Sequence, residues 1–132
     1  MNGYHNKPNN SLVLIVDGAS GQLDDCKVLL RPYGYLSMEL VHLTDIERKV
    51  RDVSIPLAII FDPDNEVTIA ADIDKFRRKH PETKIIYLGD VIKKEVEAQI
   101  RELGVIFMGS HRSFMSNSQK IIEKALQVRS GS

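Results

Sequence analysis

Two hydrophobic patterns alternate along this chain. Leu12–Val16 (L-V-L-I-V), Leu57–Phe61 (L-A-I-I-F) and the end of Lys84–Leu88 (K-I-I-Y-L) are short, continuously apolar runs bounded by turn-forming or acidic residues. Pro56 and Pro63 bracket the second of them within Ile55–Asp64. Short unbroken runs of this kind predict strands covered on both faces, as in parallel sheets. Leu36–Val41 alternates instead, with Leu36, Met38 and Leu40 apolar, which predicts a strand with one half-exposed face near a sheet edge. Val105–Met108 (V-I-F-M) predicts a fifth strand.

Between these runs the apolar positions recur at helical spacing. Gly21–Arg31 carries Leu23, Cys26 and Leu30 on one face and stops at Pro32-Tyr33-Gly34-Tyr35, where Gly34 suits a helix-end turn. Thr44-Asp45-Ile46-Glu47 has the capping-box pattern and predicts a helix turning Ile46, Val50 and Val53 inward. Residues 66–80 place Ile69, Ile73 and Phe76 on one face, and the basic run Lys75–His80 complements that helix's negative end before Pro81. Ile92, Val96, Ile100 and Leu103 mark a further helix closed by Gly104. The last helix is predicted from Ser116 to Val128, with Ile121, Ile122, Ala125 and Leu126 inward. Five strands alternating with five helices through short connections predict an α/β domain over residues 11–128, a doubly wound parallel sheet with helices on both faces. A polar leader (residues 1–10) and a polar tail (129–132) flank it.

Composition narrows the function classes. A chain of 132 residues suits one domain with one core. Lys plus Arg and Asp plus Glu number 18 each, so global charge points to neither nucleic acid nor membrane. The single cysteine, Cys26, has no internal disulfide partner and reads as a small core residue in a reducing compartment. No apolar run approaches the ~20 residues that span a membrane, and the N-terminus lacks a signal peptide's apolar segment. A cytoplasmic protein is expected. His5, His42, His80 and His111 are scattered without zinc-ligand spacing. Asp17-Gly18-Ala19-Ser20-Gly21-Gln22 matches neither the P-loop nor the dinucleotide pattern. At most, it offers a small anion the N-terminus of the following helix.

The chemistry-bearing residues gather where the strands end. In open α/β sheets, ligands bind outside the carboxyl ends of the central strands. Asp17 follows the first apolar run, Asp62 follows the central one with Asp64 two residues on, Gly89 follows the fourth, and Ser110-His111 lie beyond the fifth.

Taken in order, L-V-L-I-V-D at Leu12–Asp17, L-L-R-P-Y-G-Y at Leu29–Tyr35, P-L-A-I-I-F-D at Pro56–Asp62 and I-I-Y-L at Ile85–Leu88 resemble the CheY-like receiver domain of bacterial response regulators, over residues 12–127. The resemblance implies a flavodoxin-like sheet of strand order 2-1-3-4-5. It also implies a phosphoryl group accepted on Asp62, and a Mg²⁺ ion held by Asp62 and an acidic pair after the first strand. That pair falls on Asp17-Gly18, so one carboxylate is missing, with Asp64 close enough in sequence to compensate. The family's fourth strand ends in a hydroxyl residue that binds phosphoryl oxygens, and here that position is Gly89. Its fifth strand ends in a lysine, a column that falls on Ser110 or His111 according to register. Neither residue is lysine, and the proline that follows it in the family is also absent. His111 or Arg112 are the available stand-ins, although a guanidinium fork is not equivalent to an ammonium.

These departures matter because phosphoryl transfer depends on positioning and charge neutralisation. Dropping one carboxylate also weakens a cation that prefers near-octahedral oxygen ligation. Three readings remain open. One is an atypical receiver (a pseudo-receiver) in two-component phosphorelay signal transduction, acting as a protein-interaction module with an impaired switch. Its partners would be a sensor kinase or an effector domain. The second is a Mg²⁺-dependent receiver that accepts a phosphoryl group on Asp62, autocatalytic acceptance being the most enzymatic activity expected. The third is a small-molecule-binding flavodoxin-like domain, since the fold alone does not fix function. Gly89 and the missing lysine favour the first, and the lack of a cofactor loop counts against the third. No cofactor beyond Mg²⁺ and no direct nucleic-acid or membrane binding are expected. The resemblance also implies docking of a homodimer or partner through the last two helices and fifth strand, here residues 91–128, where Lys93, Lys94, Glu95, Arg101, Glu102, Lys120 and Glu123 suit a polar interface.

Overall fold

The continuously apolar runs become the centre of a five-stranded, all-parallel sheet of order 2-1-3-4-5. The computed structural model describes residues 11–17, 21, 23–49, 53–63 and 68–127. Strands β1 (Ser11–Val16), β3 (Ser54–Phe61) and β4 (Lys84–Leu88) pair side by side, with β2 (Leu36–Leu40) and β5 (Phe107–Gly109) at the edges. Ile59, Ile60, Ile86 and Leu88 have no exposed surface, as expected for strands covered on both faces. Alternation along each strand sends Leu14, Val16, Ala58, Ile60, Ile85 and Tyr87 into one apolar layer. Val13, Ile15, Leu57, Ile59, Phe61, Ile86 and Leu88 go into the other.

The first layer is closed by α2 (Ile46–Lys49), α3 (Thr68–Lys79) and α4 (Lys94–Glu102), through Ile46, Ile73, Phe76, Val96 and Ile100. The second is closed by α1 (Asp24–Leu30), α5 (His111–Ser116) and α6 (Ser118–Leu126), through Leu23, Cys26, Leu30, Phe114, Ile122 and Leu126. The inward faces predicted for the helices are thus the ones that pack. Gly34 and Gly104 take the left-handed conformation (φ 75° and 72°) where helix-end turns were expected. The basic end of α3 ties elements together: Arg77 donates to the Leu103 carbonyl at the end of α4, and Lys79 pairs with Glu47 of α2.

Four elements depart from the sequence expectations. Helix α1 is shorter than Gly21–Arg31, because Arg31–Tyr33 tighten into a 3₁₀ turn around Pro32. The helix expected from Thr44 begins instead as a 3₁₀ turn over Leu43–Asp45 that leads into four-residue α2. Here it is Asp45, not Glu47, that reaches back, its Oδ2 accepting from the His42 N–H at 3.3 Å. Val50 lies outside the described residues. The fifth strand is Phe107–Gly109 rather than Val105–Met108, because it meets only Ile86, Tyr87 and Leu88 of its neighbour. The last helix, expected over residues 116–128, is α6 (Ser118–Leu126), and a helix that the sequence reading left out, α5 (His111–Ser116), precedes it. The Ser110 hydroxyl accepts from the Ser113 N–H at 3.0 Å, an N-cap that starts α5 directly after β5. Non-helical backbone at Asn117 (φ −129°) then separates α5 from α6. Val128, the predicted end, lies outside the described residues, and Gln127 in the left-handed conformation terminates α6.

Candidate functional site at the carboxyl rim

The rim is built by the sheet's own hydrogen bonds, which continue one residue past the strands. The Asp62 N–H donates to the Leu88 carbonyl at 2.8 Å, and the Gly89 N–H donates to the Gly109 carbonyl at 2.9 Å. The Asp17 N–H donates to the Leu40 carbonyl at 3.3 Å. Since Phe61 pairs with Leu88 and Leu88 with Gly109, continuing the register sets Gly89 beside Asp62 and Ser110 beside Gly89. Asp17 and Asp62 are both buried, at 5% and 9% exposure, at the ends of the adjacent strands β1 and β3. Gly89 is buried, and Ser110 is half-buried.

A close contact at the rim involves a residue that sequence reasoning placed in the core and nowhere else. The Tyr87 hydroxyl donates to Asp62 Oδ2 at 2.6 Å. Tyr87 has no exposed surface, and its backbone is held between Ile60 of β3 and Met108 of β5. Burial, then the hydrogen bond and negative charge of Asp62, push the phenol's pKa far above its ordinary value. Tyr87 pairs with Ile60, and Asp62 lies two residues beyond Ile60, so both side chains project from the same face. A sequence signal existed, since a buried tyrosine usually finds a partner for its hydroxyl. Naming that partner required the strand register.

A second polar group lies on the other face. Asp25, in the first turn of α1, has Oδ1 3.4 Å from His111 Nε2 at the start of α5. Burial pushes the Cys26 thiol up to about 12, with the charge and hydrogen bond of Asp25 and the charge of Asp17 adding to it. The contact described for His111 is therefore with Asp25. Ser110 uses its hydroxyl as a helix cap, and Arg112 is exposed. Asp64 and Gly18 lie outside the described residues. Among the described residues, no group of three or more His, Cys, Asp or Glu side chains is placed to hold a metal ion. No described helix is long and apolar enough to cross a membrane.

No protein-family model matches the sequence, and no curated protein matches it either. Solved structures do. A CheY-like response regulator receiver domain protein from Methanospirillum hungatei superposes with a TM-score of 0.67 at 19% identity, over 89% of this chain and 97% of that one. A response regulator from Thermotoga maritima gives a TM-score of 0.70 at 15% identity, over 89% and 98%. A CheY-like protein (TadZ) from Pseudomonas aeruginosa gives 0.69 at 14% identity, over 88% and 99%. The fold is the receiver fold, flavodoxin-like in strand order, and it is shared over nearly the whole of each chain.

Proposed function

We propose that this domain is an atypical response-regulator receiver in two-component signalling, working as a protein-interaction module whose phosphorylation switch is impaired. The observation that carries this reading is the make-up of the rim around Asp62. The neighbouring strand ends present Gly89, which has no side chain, and Ser110, whose hydroxyl caps α5. A ligand shifts a two-state equilibrium only by its differential interaction with the two states. Charge-assisted hydrogen bonds to a phosphoryl group contribute roughly 1.5–3 kcal/mol each. Without a hydroxyl and a lysine, much of the ~5.5 kcal/mol needed for a nearly complete shift is missing. Asp17 and Asp62, with Asp64, are the residues that would hold Mg²⁺, one carboxylate short at Gly18. The ion would supply charge neutralisation at Asp62.

Output in this reading passes through the face formed by residues 91–128. It carries exposed Lys93, Lys94, Glu95, Arg101, Glu102 and Lys120 and would dock a sensor kinase, an effector domain or a second copy without phosphorylation. The test is a comparison of amide NMR spectra with and without beryllofluoride and Mg²⁺, with Asp62→Ala as control. No change, or change confined to the loops around Asp17 and Asp62, is expected. Asp62-dependent shifts that spread to residues 91–128 would show a working switch and overturn the reading.

A further inference from the structure

We propose that Tyr87 is an internal ligand of Asp62, occupying the carboxylate oxygen that a cation or a phosphoryl-like group needs. The inference rests on the rim reading above and specifies how that site is regulated. A carboxylate that accepts a phosphoryl group on one oxygen and a cation on the other uses both oxygens. Here Oδ2 already accepts a 2.6 Å hydrogen bond from a phenol. That length belongs to the short, charge-assisted class of O–H···O⁻ bonds.

The phenol has nowhere else to put its proton. Tyr87 has no exposed surface and belongs to the apolar layer of Val16, Ile60, Val96 and Ile100. Swinging the hydroxyl away from Asp62 would leave it without a partner in apolar surroundings, a costly state for a polar group. The backbone cannot yield either, because Tyr87 sits between paired strands on both sides. A ligand at Asp62 must therefore displace a donor that is fixed in place. This mechanism is separate from the missing hydroxyl and lysine. Gly89 and Ser110 weaken the response to a bound group, whereas Tyr87 opposes its binding.

Two measurements on the full chain test the inference. In proton NMR the Tyr87 hydroxyl should give a slowly exchanging low-field resonance, identified by its loss in Tyr87→Phe. The same resonance should vanish in Asp62→Ala. Its persistence there would overturn the inference without any ligand being added. Titration with beryllofluoride in the presence of Mg²⁺ should show Tyr87→Phe binding at least tenfold more tightly than the unsubstituted chain. Adding Asp62→Ala to that variant should abolish the gain. Equal affinity with and without the hydroxyl would sink the inference. The spread of shifts in the unsubstituted chain bears only on the impaired-switch reading, so the two ideas fail separately. A tight-binding Tyr87→Phe variant with local shifts supports both.

Discussion

The interior of the sheet and its carboxyl rim are a few ångströms apart, yet they keep to different rules. In the interior, Val13–Ile15, Leu57–Ile60 and Ile86–Leu88 are fully buried, and their neighbours are apolar on both faces. Any sequence with that pattern and those crossovers is drawn to the same doubly wound sheet. At the rim, one residue past the strands, apolar side chains give way to Asp17, Asp62, Gly89 and Ser110, and the ladder continues there through backbone groups. Backbone hydrogen bonds are indifferent to side chain. Side chains at the rim can therefore vary while the fold stays similar, at TM-scores of about 0.7, to solved structures only 14–15% identical. Stability resides in the interior, and the candidate site lies at an edge that the fold does not police. Substitutions should separate the two regions, except at Tyr87, which belongs to both.

The largest effect should come from the interior. Ile60→Asp places an unpaired carboxylate where Ile60 now has no exposed surface. The lost packing and the buried charge together exceed the ~5–15 kcal/mol margin of a typical domain. Circular dichroism and the amide spectrum should report an unfolded chain. A folded Ile60→Asp would mean that this interior is far more accommodating than its burial implies.

Alkaline pH is the next probe. The folded-state pKa of Cys26 is raised to about 12 from 9.0, chiefly by burial, and that of Tyr87 is raised above 10.0 by burial and Asp62. Raised values mean that the folded state holds these protons more tightly than the unfolded one. Their contribution is fully present below about pH 9 and is lost as pH rises through 9–12, Cys26 first. Unfolding free energies from denaturant titrations should fall across that window, by roughly 2–4 kcal/mol in total at the upper end, and midpoints should fall with them. Cys26→Ala should flatten the early part of the fall and leave the part above pH 10 in place. A midpoint unchanged between pH 8 and 11 would contradict the burial of both groups.

The junction between the two regions should show an asymmetry. Asp62→Ala strands the Tyr87 hydroxyl inside an apolar layer, which should cost about 1–3 kcal/mol. Tyr87→Phe leaves Asp62 at the rim, where water can approach it, and should cost only about 0.5–1.5 kcal/mol. In a double-mutant cycle the two residues should couple, by about 0.5–3 kcal/mol. Additive effects would show that the 2.6 Å contact contributes little.

The same division explains what could be read from the sequence. The interior was legible because burial on both faces leaves an unbroken apolar run, and a one-face helix leaves a 3.6-residue period. Leu23, Cys26, Leu30, Ile73, Phe76, Val96 and Ile100 all pack as that period indicates. The β2 edge was read from its alternation, but the β5 edge was read less well. Ile106 is more than a third exposed and outside β5, although its hydrophobicity suggested a strand. Helix α5 was missed, because six residues are too few to show a helical period and the cap that starts it is a single serine, Ser110. At the rim, Asp17 and Asp62 were visible as acidic punctuation after apolar runs. Tyr87 was not, because its role depends on a diagonal contact across β3 and β4 that register alone creates.

The smallest effect belongs to the outer surface, where neither region's rules apply. Lys93 and Lys94, at the start of α4, are exposed. Reversing them to glutamate touches no buried atom, and surface substitutions of this kind stay within about 0.5 kcal/mol of stability. Negative charge near a helix N-terminus even complements the local dipole by a few tenths of a kcal/mol. Stability should therefore be unchanged, which makes the double substitution a clean probe of docking through residues 91–128. If that face pairs with a second copy, sedimentation at high concentration should shift towards monomer in Lys93→Glu/Lys94→Glu. Because exposed charges steer association more than they hold it, the change should be strongest at low salt and shrink as salt screens them. Unaltered sedimentation and partner binding across that salt range would show the face to be ordinary solvated surface.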